Sequence, residues 1–290
     1  MTSYSALTTL SDRSSAEALG EAMERLDPAP TGIGVFEVED GTSTWEVGGY
    51  FTDRPDPAGL ALLAVMHGAA DFAVSKIDDQ DWVAQVRREL HPVHAGRFTV
   101  YGAHDSHTVG PQRIGLCIEA AMAFGTGHHG TTRGCLMLFD RLLRRGHVGR
   151  AVADIGCGTG VLAMAAAKTW RCRTVATDID AIAQATARAN MVANGVAPWV
   201  VTGTAPGFRH QAHRNTAPYD LVFANILAAP LKRLAPDIAA HLRPGGMAIL
   251  SGLLTHQAPG VAAIYAGHGL RVMDRVSLGE WTSLVVKLVR

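Results

Sequence analysis

The sequence predicts an α/β protein of two domains, in which a smaller α+β domain precedes a larger domain built on a doubly wound, Rossmann-like parallel sheet. Three observations support this fold class. The 290 residues exceed the usual size of a single domain. Residues 1–80 show the element order βαββαβ. From residue 150 onward, short apolar runs that end in glycine or an acid alternate with helical stretches, which is typical of parallel strands joined by crossover helices.

The first domain, residues 1–80, is predicted to be a ferredoxin-like sandwich. Ser15 is the expected N-cap of its first helix, and Asp40-Gly41 the expected turn between its second and third strands. Strands are expected at 4–10, 34–39, 44–51 and 72–77, and helices at 16–26 and 57–70. This order of elements is the basis of the prediction.

Charge is divided unevenly along a chain whose net charge is zero. Residues 1–80 hold four basic and 14 acidic residues, a net charge of −10, whereas the remainder holds 22 basic and 12 acidic residues, a net charge of +10. An acidic domain binds a phosphate backbone poorly and suits a basic protein as partner. An acidic surface that serves only solubility is the alternative. We expect no direct binding of nucleic acid.

Composition argues against several classes of protein. The hydrophobic fraction of 48% is typical of a globular chain, and no apolar run approaches the roughly 20 residues that cross a bilayer. The N-terminus shows no basic region followed by an apolar segment, so no secretion signal is indicated. The four cysteines lack C-x-x-C spacing, which argues against a zinc site or a disulfide framework. We expect a cytoplasmic monomer that does not bind a membrane.

A linker helix is predicted over residues 81–95, because a helical pattern stops near Pro92. The larger domain then spans 96–290. Its first strand-like runs lie at 97–101 and 114–119.

A glycine-rich loop, from Ala123 to Thr132, leads into a helix with one apolar face. Thr131 or Thr132 is the expected N-cap. The apolar positions recur at helical spacing and are predicted to be buried, namely Cys135, Leu138, Phe139 and Leu142.

Two adjacent histidines in this loop, His128 and His129, raise the question of a metal site. A site needs further ligands close by, and the sequence around them offers no cluster of His, Cys or carboxylate residues. A polar loop over a pocket is the simpler interpretation.

The most distinctive stretch is Val152-Ala-Asp-Ile-Gly-Cys-Gly-Thr-Gly-Val161. An apolar strand ends in Gly156, Gly158 and Gly160, and a helix follows at once. Glycines let a ligand approach the bare backbone, and the start of a helix offers unpaired N–H groups with a partial positive charge. This arrangement predicts a site for a nucleotide-like ligand.

The spacing of the glycines distinguishes between kinds of nucleotide. The dinucleotide fingerprint G-x-G-x-x-G requires a third glycine where this chain has Val161. The next apolar run closes on Asp178, 18 residues after Gly160, where a carboxylate is able to accept both hydroxyls of a ribose. A plain βαβ turn followed by an aspartate at a strand end is the alternative.

The rest of the chain continues the α/β alternation. One strand ends at Asn225, and the last two strands would pair as a hairpin, which gives five parallel strands and a terminal hairpin. Strands are expected at 199–202, 219–224, 247–250, 270–276 and 284–289, and helices at 161–168, 181–194 and 230–242.

The motifs together resemble a known family. The glycine turn resembles motif I of the class I S-adenosylmethionine methyltransferases, and Asp178 resembles their ribose-binding acid. The set as a whole is similar to the PrmA family, the methyltransferases of ribosomal protein L11. The motifs that carry this resemblance are the segments Phe124–Thr132, Asp154–Gly160, Asp178–Asp180, Ala224–Leu227, Ser251–Leu253 and Gly279–Trp281. The resemblance is close from about residue 82 onward and looser before it.

The resemblance implies a class I methyltransferase sheet, S-adenosyl-L-methionine as cofactor and a ribosomal protein as substrate. It also implies that the N-terminal domain recognises that protein and swings relative to the catalytic domain. Residues implied to bind the cofactor are Phe124, Gly125, Thr132, Gly156, Gly158, Gly160, Asp178 and Asn225. The chain has His128 and Gly130 where family members commonly have other residues, which affects only the expected substrate contacts of the loop.

Asn225 is the expected catalytic residue for transfer of the methyl group to a lysine amine. Its amide oxygen would accept a hydrogen bond from the amine and orient the nitrogen lone pair. The alternative is that Asn225 only closes its own turn. Cys157 is interpreted as a small packing residue, and Trp281 as an aromatic residue that packs across the terminal hairpin.

Three other functions remain open at this point. The cofactor motifs alone do not choose an acceptor, so methyl transfer to RNA or to a small molecule is the first alternative. An NAD(P)-dependent oxidoreductase is the second, although Val161 argues against it. A non-catalytic binder associated with the ribosome is the third.

Overall fold

The structure is a computed structural model and describes residues 3–30, 32–37, 44–77, 92–118 and 130–289. The chain divides into two compact units, Met1–Arg88 and Glu89–Arg290. Most of the predicted linker helix, over 81–91, lies outside the described residues, so its conformation and the domain boundary stay predictions.

The smaller unit has the predicted order βαββαβ. Its four strands form one antiparallel sheet in the order β2-β3-β1-β4, which is the ferredoxin-like arrangement. The elements are β1 (Ser3–Leu10), α1 (Arg13–Met23), β2 (Gly32–Glu37), β3 (Trp45–Phe51), α2 (Pro57–His67) and β4 (Ala73–Ile77). The predicted Asp40-Gly41 turn lies outside the described residues.

The first helix begins earlier than predicted, and Ser15 is not its cap. Asp12 occupies the N-cap position, and its carboxylate accepts from the backbone N–H of Ser14 at 3.3 Å and of Ser15 at 2.8 Å. A carboxylate is a strong acceptor for the unpaired N–H groups of a first turn, so the helix starts at the aspartate that comes first in the chain.

A small sheet opens the described part of the larger unit. Strand β5 (Val93–Ala95) pairs antiparallel with β6 (Phe98–Tyr101), which runs parallel to β7 (Ile114–Cys117). The prediction that the linker helix extends to residue 95 is therefore wrong for 93–95. The close pairing across a two-residue turn, with Gly96 at φ 59°, favours a strand there.

The main sheet has seven strands in the order β10-β9-β8-β11-β12-β14-β13. The first five are parallel, and β14 runs antiparallel to both of its neighbours, which confirms the predicted five parallel strands and terminal hairpin. The strands are β8 (Ala151–Ile155), β9 (Arg173–Asp178), β10 (Val200–Thr204), β11 (Tyr219–Asn225), β12 (Leu242–Leu254), β13 (Leu270–Leu278) and β14 (Trp281–Leu288).

Apolar cores cover both faces of this sheet. On β11, Leu221 and Phe223 belong to one core, whereas Val222 and Ala224 belong to the other. This alternation is that of a central strand in a doubly wound fold. The helices are α3 (Gly130–Arg144), α4 (Val161–Trp170), α5 (Ala181–Ala193), α6 (Gln211–Thr216), α7 (Ala228–Arg233), α8 (Ala235–His241) and α9 (Ala258–Gly267). None of the described helices is long and apolar enough to span a bilayer.

Two helix predictions need correction. The helix predicted over 230–242 is two short helices that meet at Leu234, because Pro236 has no N–H to continue the hydrogen-bond ladder. Helix α3 includes Gly130, so Thr131 and Thr132 lie in its first turn and neither is its N-cap. The predicted apolar face of α3 is buried as expected.

Candidate active site

The glycine turn follows β8 and rests on the neighbouring strand β9. Gly156, Gly158 and Gly160 have φ values of 69°, 52° and 78°, a region that favours glycine. The N–H groups of Gly156 and Cys157 both donate to the carbonyl of Thr177, at 2.8 and 3.1 Å. The turn is therefore fixed at two points on the end of β9.

Space as well as φ requires glycine in this turn. A Cβ on Gly156 would collide with the side chain of Ile226, and one on Gly160 would collide with Met191. A similar restriction holds at Gly252, where a Cβ would meet the backbone of Ile226. At the carboxyl edge of the sheet, Gly156 and Gly158 are half-buried, so their backbone is partly open to a nucleotide-like ligand, whereas Gly160 is buried.

Asp178 ends β9 and is held in place by backbone donors. Its Oδ2 accepts from the N–H of Gly158 at 2.9 Å, and its Oδ1 accepts from the N–H of Asp180 at 3.1 Å. A carboxylate has about four acceptor positions, so each oxygen retains one for a further donor. Among the described residues no cation pairs with this half-buried carboxylate. The arrangement fits the two hydroxyls of a ribose.

Asp154 is a buried carboxyl beneath the same turn. Its Oδ2 accepts from the N–H of Ala163, in the first turn of α4, at 2.9 Å. Burial, and to a smaller extent the charge of Asp178, raises the pKa of Asp154 to about 7, although the Ala163 N–H acts in the opposite direction. The sequence analysis did not single out this residue, although an acid immediately before a glycine turn was the signal available.

Asn225 ends β11, the strand next to β8. Its Nδ2 donates to the hydroxyl of Thr132 at 3.3 Å and to that of Thr131 at 3.5 Å, so the structure brings the predicted Thr132 and Asn225 together. Because Nδ2 is used in this way, the amide oxygen Oδ1 is the atom left to accept from a ligand. No donor among the described residues bonds to it.

Two buried serines support this arrangement, and the sequence analysis missed their role. The hydroxyl of Ser251 donates to the carbonyl of Thr131 at 3.2 Å and bonds to the hydroxyl of Ser283 at 2.7 Å. Ser283 approaches α3 so closely that a Cβ on Gly134 would collide with its oxygen. The pairing links α3 to β12 and β14, over sequence separations that no local pattern reveals.

The register of the sheet explains why these groups meet at one edge. Ile155 of β8 lies beside Thr177 of β9 and beside Ala224 of β11. The residue that follows each of these three in the chain is a predicted site residue, and the carboxyl ends of parallel strands lie together. Phe124, Gly125, His128 and His129 lie outside the described residues. Among the described residues no group of His, Cys, Asp and Glu is arranged to hold a metal ion.

Cys157 and Trp281 are placed within the packing of the larger unit. Cys157 is buried, burial raises the pKa of its thiol, and its sulfur accepts from Nε2 of Gln184 at 3.1 Å. Trp281 begins β14 and pairs across the hairpin with Leu278.

Comparisons with known proteins match most of the chain to one family. The model of the PrmA family, described as ribosomal protein L11 methyltransferase, matches residues 14–288. A curated ribosomal protein L11 methyltransferase from Bradyrhizobium diazoefficiens is 44% identical over 261 residues, 89% of this chain and 88% of the relative. One from Chelativorans sp. (strain BNC1) is 40% identical over 97% of this chain and 99% of the relative.

A solved structure gives the same result. The ribosomal protein L11 methylase from Lactobacillus delbrueckii subsp. bulgaricus superposes with a TM-score of 0.62 at 25% identity, over 69% of this chain and 100% of that chain. The predicted class I fold, the methyltransferase function and the use of S-adenosylmethionine are confirmed at the level of the family. The chain belongs to the PrmA family of ribosomal protein L11 methyltransferases.

Proposed function

We propose that this protein transfers methyl groups from S-adenosylmethionine to amino groups of ribosomal protein L11, in particular to lysine side chains, with the N-terminal amine as a further candidate. Family membership supports methyl transfer to this protein. The hydrogen bonding of Asn225 is the observation that supports an amine as the methyl acceptor. Its Nδ2 is held by two hydroxyls, and its Oδ1 is left to accept a hydrogen bond from an N–H of the acceptor.

The cofactor site that we propose consists of the glycine turn, Asp178 and the Thr132–Asn225 pair. Asp178 has one free acceptor position on each oxygen for the ribose hydroxyls, and the half-buried Gly156 and Gly158 lie beside it in the turn. Gly156, Gly158 and Gly160 form that turn. Phe124 and Gly125 complete the proposed site on the strength of the family resemblance.

When bound, S-adenosylmethionine supplies a methyl group that its sulfonium already activates, so the chain has to position the acceptor and exclude water. A free lysine with a pKa near 10.4 is neutral in only about 0.04% of molecules at pH 7, which corresponds to roughly 4–5 kcal/mol. We propose that the amine loses its proton to solvent before it binds. Asn225 then holds one N–H and leaves the lone pair free.

The smaller unit is proposed to recognise the substrate protein. Its net charge of −10 over residues 1–80 complements a basic ribosomal protein and disfavours direct contact with a phosphate backbone. We propose that the enzyme works as a monomer in the cytoplasm. The four cysteines, none of which forms a disulfide, are consistent with a reducing compartment.

The test uses purified L11 and cofactor labelled with tritium in the methyl group. We expect label in L11 at lysine residues, identified by mass spectrometry of its peptides, and little label when the amines of L11 have first been blocked by acetylation. Label that persists on blocked L11 would overturn the assignment to amines.

Methyl transfer to RNA is the competing function, and the same assay addresses it. Deproteinised ribosomal RNA replaces L11 in a parallel reaction, and we expect no label there. Labelled RNA together with unlabelled L11 would overturn the proposed acceptor while leaving the cofactor site intact.

A further inference from the structure

His213 is a fully buried histidine that belongs to none of the motifs of the site. It lies on α6 with an exposed fraction of 0%, and its ring packs edge-on against Phe208 at 5.1 Å between centroids. Burial, followed by the nearby His241 and His210, lowers the pKa of His213 to about 4. The imidazole is therefore neutral at physiological pH, so that one ring nitrogen donates and the other accepts.

The neighbours of His213 determine which nitrogen carries the proton. The hydroxyl of Thr177 donates to the carbonyl of Gly207 at 3.3 Å, so its oxygen accepts from Nε2 of His213 at 3.1 Å. The other nitrogen, Nδ1, then accepts from the hydroxyl of Tyr219 at 2.7 Å. These three side chains, all with exposed fractions of 0%, are called the histidine chain below. Each of its polar hydrogens has one acceptor.

The histidine chain ends on the residue that carries the glycine turn. The backbone carbonyl of Thr177 accepts from the N–H groups of Gly156 and Cys157, and the next residue is Asp178. The carbonyl of Asp178 accepts from the N–H of Ala205 at 2.8 Å. Two parts of the proposed cofactor site, the glycine turn and the ribose acid, therefore meet at Thr177, and the segment that follows β10 bonds to the adjacent Asp178.

We propose that His213 is a positioning residue for the cofactor, and that it acts through the hydroxyl of Thr177. By fixing that hydroxyl between β9 and Gly207, the histidine chain holds the end of β9 where the glycine turn and Asp178 fit S-adenosylmethionine. This inference rests on the proposed cofactor site. It predicts an effect on cofactor affinity that is separate from the effect on stability.

Substitution of Thr177 tests the step nearest the cofactor. Thr177→Val keeps the carbonyl and the shape but removes the hydroxyl, and we expect about tenfold weaker binding of S-adenosylhomocysteine by calorimetry. We expect turnover of L11 at saturating cofactor to stay within about twofold, because Thr177 is fully buried and is proposed to act only on cofactor binding. Thr177→Ser retains the hydroxyl and should restore the affinity.

Substitution of tyrosine separates positioning from stability. Tyr219→Phe removes the donor that fixes the tautomer of His213, and we expect about threefold weaker binding of S-adenosylhomocysteine. Tyr265→Phe is the matched control, since Tyr265 is equally buried in the same core but donates at 2.9 Å to Leu231, away from Thr177. We expect this control to lower the melting temperature without changing the affinity.

The double variant Thr177→Val/Tyr219→Phe completes the test. If both residues act through His213, the double variant should bind no more weakly than Thr177→Val alone. Any of three results would overturn the positioning role. These are equal effects of Tyr219→Phe and Tyr265→Phe on affinity, fully additive losses of affinity in the double variant, or no rescue of affinity by Thr177→Ser. Wild-type protein that fails to bind S-adenosylhomocysteine would overturn the proposed cofactor site as well, whereas binding unchanged by Thr177→Val would overturn this inference alone.

Discussion

Two aspartates at opposite ends of the strands of the main sheet have very different hydrogen-bond partners. Asp220, at the amino end of β11, accepts from Nε of Arg243 at 2.6 Å and from the N–H groups of Arg150 and Ala151 at 2.7 and 2.9 Å. Asp178, at the carboxyl end of β9, accepts from two N–H groups and, among the described residues, from no cation. Both carboxylates are fixed by backbone donors.

This difference in partners distinguishes an acid with a structural role from one that retains acceptor positions for the proposed ligand. The charge of Asp220 is balanced by Arg243, and three donors use most of its acceptor capacity. Asp178 is also held by backbone donors but keeps one acceptor position on each oxygen, beside the half-buried Gly156 and Gly158 of the turn. A carboxylate that is oriented but not neutralised is the arrangement expected of a binding site.

The largest expected effect is the loss of cofactor binding when Asp178 is removed. Asp178→Ala deletes two charge-assisted hydrogen bonds to the ribose, and we expect binding of S-adenosylhomocysteine to weaken about 1000-fold, as measured by calorimetry. Asp180→Ala is the control, since it removes the same charge two residues away and only one bond to the N–H of Ile182. Similar affinities in the two variants would mean that Asp178 does not hold the ribose.

The next effect in size concerns turnover. In Asn225→Ala the acceptor amine loses the oxygen that orients it, and we expect kcat for L11 to fall about 100-fold. Cofactor affinity should change by only a few-fold, because the turn and Asp178 remain. Near-normal kcat in a folded Asn225→Ala enzyme would exclude Asn225 from the mechanism.

Asp220 should show the opposite behaviour. Asp220→Ala removes an ion pair and two backbone bonds from a nearly buried carboxylate, and we expect a loss of about 2–3 kcal/mol in the free energy of unfolding. Affinity for S-adenosylhomocysteine should be unchanged. The contrast between the two aspartates would fail if Asp220→Ala weakened cofactor binding as well.

The smallest expected effect depends on pH and concerns Asp154. Its pKa is raised from an ordinary value of 3.8 to about 7, so folding favours the protonated form and the unfolded chain releases the proton first. The stability that this group contributes is present below pH 3.8 and is lost as pH rises through 7. Asp154→Asn does not titrate. We therefore expect its free energy of unfolding, relative to that of wild type, to rise by about 2 kcal/mol between pH 5 and pH 8, as measured by urea unfolding.

A constant difference between Asp154→Asn and wild type across this range would show that Asp154 titrates normally. The measurement is made without cofactor, so it reports the folded chain alone.

The comparison also shows what the sequence was able to predict. The glycine turn and Asp178 lie within 23 residues, and their spacing predicted a nucleotide-like ligand, which the family resemblance narrowed to S-adenosylmethionine. The five parallel strands and the terminal hairpin followed from the alternation of elements and from the family resemblance. Helix starts were less predictable, because Asp12 caps the first helix three residues before Ser15 and Pro236 divides a continuous apolar pattern.

Contacts between distant residues were beyond sequence reasoning. The Asn225–Thr132 bond joins residues 93 apart, and the Thr177–His213 bond joins residues 36 apart on different elements. Asp154, Ser251 and His213 were not selected, because their roles depend on burial and on partners that packing brings close. A single sequence shows its hydrophobic periodicity and the spacing of its motifs, but it does not show which polar residues will lie together in a buried core.

The close approach of α3 to β14 at Gly134 has a consequence for the proposed role of Asn225. A hydrogen atom is the entire side chain that fits against Ser283, which is bonded to Ser251 and through it to the carbonyl of Thr131. The clearance at Gly134 thus helps to set how near the two threonine hydroxyls come to Asn225 and how its amide is oriented. In the proposed mechanism, the smallest residue of α3 therefore limits how precisely the acceptor amine is positioned, although it is not itself one of the proposed site residues.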